Sequence, residues 1–289
     1  MVLRQEMFRA AVLSQLAFVV CAFAGTPFDD AQVLYHRTDY QGALRILSGA
    51  RAKDGRMWNL IGQSAFMLAD YKRAVDAFER AVQAEPRKAE FVNWLGKAWG
   101  RRAEVASPIL APVYAVRARN FFEQAVALDS TNKEALNDLF DYYIEAPAFL
   151  GGGMSRAEAL VDKIAKLDAP EGHYARAQIA DRRKQFDQAE QQLRQAFEAS
   201  PAQVGRAIDL ADYLSKRGRA QESDALFTQA DKLAPNSARL MFARANAYIR
   251  DGRNLEQARA LLKAYLAASL TVDDPPREQA AALLRKVGT

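Results

Sequence analysis

The sequence predicts an all-α fold, a solenoid of stacked helix-turn-helix units, and three observations carry that expectation. A landmark run, Trp58, Leu60, Ile61 and Gly62 followed by Tyr71, Ala74, Phe78, Ala81 and Pro86, has its glycine returning 34 residues later as Gly96, behind Trp94 and Leu95. Similar runs recur to residue 268, several ending in proline, as at Pro201 and Pro235. No segment of any length alternates apolar and polar residues as a strand would.

Residues 1–24 read as a secretory signal peptide. Arg4 and Arg9 form a basic head, Ala10 to Ala24 is nearly uncharged, and Ala22-Phe23-Ala24 gives a small-x-small exit with cleavage after Ala24. The apolar stretch would make a helix of roughly 22 Å, short of the roughly 30 Å of a bilayer core. An uncleaved membrane anchor is the alternative, because Glu6 and Gln15 depart from an ideal signal. The expected location is therefore the periplasm, with membrane anchoring as the second reading. Cys21 is the only cysteine and follows Val20, where lipoprotein signals carry a small residue, so it is expected to leave with the signal. The mature chain would then have no thiol chemistry and no disulfide.

Setting aside Arg4, Arg9 and Glu6 lowers the formal charge from +5 to +4, spread along the chain. Nucleic-acid readers concentrate such charge in a stripe, and no nucleic-acid partner is expected. Arg101-Arg102 and Arg182-Arg183-Lys184 are the compact basic clusters, read either as solvated helix ends or as polyanion sites.

Residues 25–54 form a partial leading unit, with Phe28 to Tyr35 as a short first helix and Tyr40, Ala43, Leu44 and Leu47 on the second. Six units follow over 55–268. In the first, Gly62, Ala74 and Ala81 let two helices cross closely, Trp58, Leu60, Ile61, Phe78 and Val82 fill the seam, and Pro86 closes the second helix. The second carries Trp94, Leu95, Gly96, Trp99, Ala118, Phe122 and Ala125, with ten residues added in a turn enlarged near 101–117. The third carries Leu136, Leu139, Tyr143, Ala157, Val161 and Ile164, its turn enlarged over 146–153, and Ser155-Arg156-Ala157-Glu158 reads as a capping box starting its second helix. The fourth has Ala177, Ala180, Phe186, Ala189, Leu193 and Ala196, with Arg176 where an apolar residue is expected. The fifth has Leu210, Ala211, Leu214, Phe227 and Ala230, and the sixth Ala245, Tyr248, Ala258, Leu262 and Tyr265 with an irregular turn at 251–254. Residues 269–289 end the array, with Pro275-Pro276 as a stop and Glu278 to Lys286 as an amphipathic capping helix that covers the last apolar face.

These residues resemble a tetratricopeptide repeat protein over nearly all of the mature length. The chain is also similar to exported bacterial repeat proteins that carry stretches like Gly100 to Glu104 and Glu145 to Gly153. The resemblance implies a right-handed superhelical α-solenoid whose concave surface, lined by first helices, receives an extended peptide or a helix. The carboxylate clamp of some relatives is absent, since Asp138 and Asp141 stand where basic residues would be wanted.

Asn59, Asn93 and Asn137 occupy one place in three successive first helices, 34 and then 44 residues apart. Their amides are either a ladder that grips a peptide backbone or tolerated residues on an exposed helix. Gln63, Lys97 and Asp141 lie one turn further on, with Phe66, Arg101 and Glu145 beyond, their mixed charge either orienting a partner or, for Arg101 and Glu145, pairing within the chain. The apolar residues of Ser107 to Tyr114 and Phe149-Leu150 are expected at one edge of the stack, packed together or on a partner as a lid. Gly151-Gly152-Gly153 reads as a connector, since no Gly-Lys-Ser or Gly-Lys-Thr follows. His36 and His173 lack spacing partners, so no catalytic residue, metal or cofactor is expected. The expected function is a protein-binding scaffold of the cell envelope. A carrier of an anionic envelope polymer or lipid is the alternative, and the oligomeric state stays open.

Overall fold

A computed structural model describes residues 26–271, 274–275 and 277–288. The expected signal peptide, its cleavage point and Cys21 lie outside the described residues. Helices come in seven consecutive pairs: α1 (Pro27–His36) with α2 (Tyr40–Gly49), α3 (Gly55–Met67) with α4 (Tyr71–Ala84), α5 (Ala89–Glu104) with α6 (Ala111–Leu128), and α7 (Lys133–Glu145) with α8 (Met154–Leu167). Then come α9 (Ala169–Arg182) with α10 (Phe186–Ala199), α11 (Val204–Lys216) with α12 (Ala220–Leu233), α13 (Ala238–Arg250) with α14 (Leu255–Ala267), and the cap α15 (Arg277–Val287). One 3-10 turn, Ala148–Leu150, lies between α7 and α8, and there is no strand among the described residues. No helix of the described residues is long and apolar enough to cross a membrane.

Each pair closes on the small residues that mark it. A Cβ on Gly62 would lie 2.5 Å from the Phe78 ring, and one on Gly96 would lie 2.8 Å from Phe122, so hydrogen at these positions lets the aromatic ring seat against the helix backbone. Phe78, Phe227, Leu136, Leu214, Tyr248 and Tyr265 are fully buried, and their clusters continue from unit to unit as a solenoid requires. The tight turns share one geometry. Thr38, Ala69, Lys184 and Gly218 take positive φ in the middle of a three-residue link, and the next N–H donates at 2.9 Å to a carbonyl of the preceding helix. Asp39 and Asp70 then cap the second helix by accepting from Gly42 N and Arg73 N.

Three sequence expectations change in detail. The ten residues added to the second unit are mostly helix: α5 has 16 residues against 13 in α3, α6 has 18 against 14 in α4, and only the remainder lengthens the loop. Ser155 is not the cap of α8. Gly153, at φ 146°, is the N-cap, and its N–H goes back to Tyr143 O at 2.8 Å, so the helix starts before the serine. Arg176 does not disturb the fourth unit, because Ala177 takes the buried seam position while Arg176 turns out toward Asp162 at 3.6 Å. That unit is joined to the third by Asp168 alone, which ends α8 and caps α9 through Glu171 N. Gly172 allows so short a link, since a side chain there would collide with Ala165.

Packing shows which way the array bends. The first helices α1, α3, α5 and α7 approach one another in sequence, as do α11, α13 and α15, whereas successive second helices stand apart. The first helices therefore line the inner side of the curve, and their row loosens only around α9.

Candidate binding groove

Along this inner face, side chains reach from each unit to the next. Asn59 Nδ2 donates to Glu90 Oε1 at 3.4 Å, and Asn93 Nδ2 donates to Asp138 Oδ2 at 2.7 Å. Lys97 Nζ lies 2.6 Å from Glu134, 3.7 Å from Asp138 and 4.4 Å over the Trp94 ring. Arg182 meets Glu145 at 2.9 Å, and Arg206 bridges Glu171 and Asp209. The last two hold units together where the row of first helices loosens at α9.

This places the sequence-predicted residues unequally. Asn59 and Asn93 are only 5% and 2% exposed, and the Oδ1 of each is buried without a protein hydrogen bond. The expected open ladder is corrected at these two positions: neighbouring acids hold the amides in the seam between units. Asn137 is half-buried beside a small cleft with Lys133 and Glu171. Gln63 is half-buried on α3. Arg101 and Glu145 do not pair with each other, because Arg101 meets Glu104 and donates to Tyr71 Oη at 3.3 Å while Glu145 takes Arg182.

The carboxylates at the centre of the face hold protons unusually well. Desolvation raises Asp138 although Lys97 and Asn93 oppose it. Asp141 keeps contact with water in the groove, yet the protein walls around it, then Asp138, Glu171 and Glu145, push it up to about 7. Asp209 is raised to about 6, by desolvation first, with Arg206 and Arg239 opposing and Glu171 adding. An unfolded aspartate titrates from 3.8. Both states are protonated below that value, so the cost of ionising Asp209 grows as pH rises from about 4 to about 6 and is complete above. Asp209→Asn should therefore stabilise the fold by about 1–2 kcal/mol at pH 7 and hardly at pH 4. Urea midpoints at the two pH values check this, and an equal gain at both would reject it.

The main concavity is a cavity of about 1020 Å³ at which the two ends of the array meet. Tyr40, Phe66, Leu68, Tyr71 and Arg101 line one side, and Ile208, Arg239, Phe242, Leu270 and Glu278 the other. The approach of the ends is felt chemically: Tyr40 is pushed up to about 12 by desolvation, then by Asp274 and Glu278. Of the sequence-predicted residues, Phe66 and Arg101 line this cavity. Ile208 and Phe242 were not singled out from the sequence, although their spacing of one repeat is the signal that they share a position. Tyr40 and Glu278 were legible as parts of the leading unit and the capping helix, but no motif marks them or Leu270 as cavity residues, since only the curvature of the whole stack brings them there.

Other candidates are occupied. Arg102 lies over the rings of Trp99 and Tyr114 at 4.7 and 4.6 Å, and Arg183 pairs with Glu158. His173 Nδ1 is 2.9 Å from Gln192 Oε1, and His36 stands far along the chain against Tyr35. Among the described residues no group of three His, Cys, Asp or Glu side chains is placed to hold a metal.

Two solved structures share this architecture. A tetratricopeptide repeat protein from Parabacteroides merdae ATCC 43184 superposes with a TM-score of 0.59 at 14% identity, covering 92% of this chain and 100% of that one. A thermophilic tetratricopeptide repeat protein of Thermus thermophilus gives 0.54 at 20% identity over 65% of this chain and 97% of its own. No curated protein sequence matches. One tetratricopeptide repeat family model matches residues 28–87, 59–106 and 208–275, and a second matches 170–203. The unmatched stretch between 106 and 170 holds most of the first enlarged turn and all of the second. With more than half of its residues under these models and its helix pairs stacked as they require, the chain belongs to the tetratricopeptide repeat family.

Proposed function

We propose that the chain is a non-catalytic scaffold of the bacterial cell envelope that holds a peptide or helix of a partner protein in the cavity between its two ends. Tetratricopeptide repeats generally serve as protein-interaction scaffolds, their curvature creating extended concave surfaces. The cavity carries the reading: Phe66, Tyr71, Phe242 and Leu270 offer an apolar floor, and the guanidinium groups of Arg101 and Arg239 stand at its sides. That chemistry suits a segment with an apolar anchor next to a carboxylate. The envelope assignment rests on the basic, apolar and small-residue pattern of residues 1–24. A carrier of an anionic polymer is the weaker reading, because Arg182 and Arg183 of the more compact basic cluster that suggests it are paired with Glu145 and Glu158.

Photo-reactive residues placed at Arg101 and at Arg239 should capture the same partner in intact cells, while one at Glu79, exposed on α4, captures none. Arg239→Glu should lower recovery about tenfold, as reversal of an interface charge does. Equal capture from all three positions would remove the cavity from the account.

A further inference from the structure

The apolar side chains that face water are gathered, not scattered. Of the ten large hydrophobic residues exposed among the described residues, Val105, Ile109, Leu110, Val113 and Phe149 lie in the two enlarged turns. The three barest are there: Ile109 at 84%, Phe149 at 81% and Val105 at 70%. The extra residues of α5 and α6 carry this tip about 5 Å beyond the ends of α3 and α4. The neighbouring turn is fastened to the flank of α6 by Arg119, whose Nη1 donates to Leu150 O at 3.1 Å, while Tyr142, on α7 of the turn's own unit, donates its hydroxyl to the same carbonyl at 2.9 Å. The two turns thus stand together, but their apolar side chains point into water, so they do not pack on each other as a closed lid.

Behind the tip the charge is basic. Among the described residues Arg102, Arg117, Arg119 and Arg156 pair with no carboxylate but Glu123, and Arg102 and Arg117 lie over the Trp99 ring. None of the five apolar residues lines the large cavity. A convex apolar knob with arginines behind it has no pocket to give shape complementarity to a protein. It suits a fluid apolar medium with anionic head groups, where apolar area and basic charge add without shape matching.

We propose that the paired tips dock the solenoid on an anionic lipid bilayer, with Ile109 and Phe149 entering the acyl boundary and the arginines meeting head-group phosphates. This is independent of the cavity between the ends. It would set the scaffold on a membrane surface with its groove free.

The test uses the full chain and vesicles of phosphatidylcholine with and without phosphatidylglycerol. A tryptophan at the tip, Ile109→Trp, should shift its emission to the blue on anionic vesicles and be quenched by bromine-labelled lipid, whereas Val33→Trp on α1 should do neither. This readout is local, so lipid contact by residues 1–25 does not mimic it. Partition onto anionic vesicles should fall about tenfold for Ile109→Ser with Phe149→Ser, and about tenfold for Arg117→Glu. All these positions are at least partly exposed, and unchanged circular dichroism confirms that each variant folds. An unquenched tip tryptophan would overturn the proposal. So would concentration-dependent self-association abolished by Ile109→Ser, which would make a second copy of the chain the partner.

Discussion

Phe78→Ala should lower the stability of the fold by about 3–5 kcal/mol, the usual cost of emptying a fully buried aromatic site. Phe78 stacks on Trp94 of the next unit at 5.8 Å and fills the space that Gly62 leaves open, so its loss loosens one pair and the seam beyond it. The sharper expectation is a reversal of sign. Gly62→Ala alone drives a Cβ into the ring and should cost about 1–3 kcal/mol. In the Phe78→Ala background the obstacle is gone, and the same change should stabilise α3 by up to about 1 kcal/mol through helix propensity. A double-mutant cycle by urea unfolding reads the coupling directly. Additive effects would mean that Phe78 does not seat on Gly62.

The second large effect is expected at Asp138. Its carboxylate receives Asn93 at 2.7 Å and lies 3.7 Å from Lys97, and all three are largely screened from water. Lys97 itself stays above the usual range: desolvation pulls it down, and the charges of Asp138 and Glu134 outweigh that. Asp138→Ala leaves Asn93 with neither amide group paired and Lys97 with Glu134 alone, and should cost about 2–4 kcal/mol. Replacing both bonded partners, Asn93→Leu with Asp138→Leu, should cost less than Asp138→Ala alone, because no buried amide is then stranded. The order of denaturation midpoints decides this. If the double variant is the less stable, the pair contributes more by its bond than it loses by burial.

The fold was legible because the repeat fixes small residues where backbones cross: Gly62, Gly96, Ala118 and Ala189 declare helix pairs whatever surrounds them. The extra length of the second unit was legible as a count, but not as helix, because Pro108 and Pro112 read as loop while Pro112 in fact sits in the first turn of α6. The site was less legible for a reason of scale. A spacing of 34 residues shows that Asn59 and Asn93 share a position, but not that the unit beyond supplies Glu90 and Asp138 to bury them. Nor does any local pattern reveal that Tyr40 and Glu278, at opposite ends of the sequence, wall the same cavity.

That last arrangement sets repeat number apart from ordinary solenoid growth. In an open stack a duplicated module of about 34 residues merely extends the surface on offer. Here the first pair and α15 face each other across one void, so adding or deleting a module would swing them out of alignment and abolish the void. Chain length in whole modules is thus itself a determinant of what this protein can hold, as much as any side chain within it.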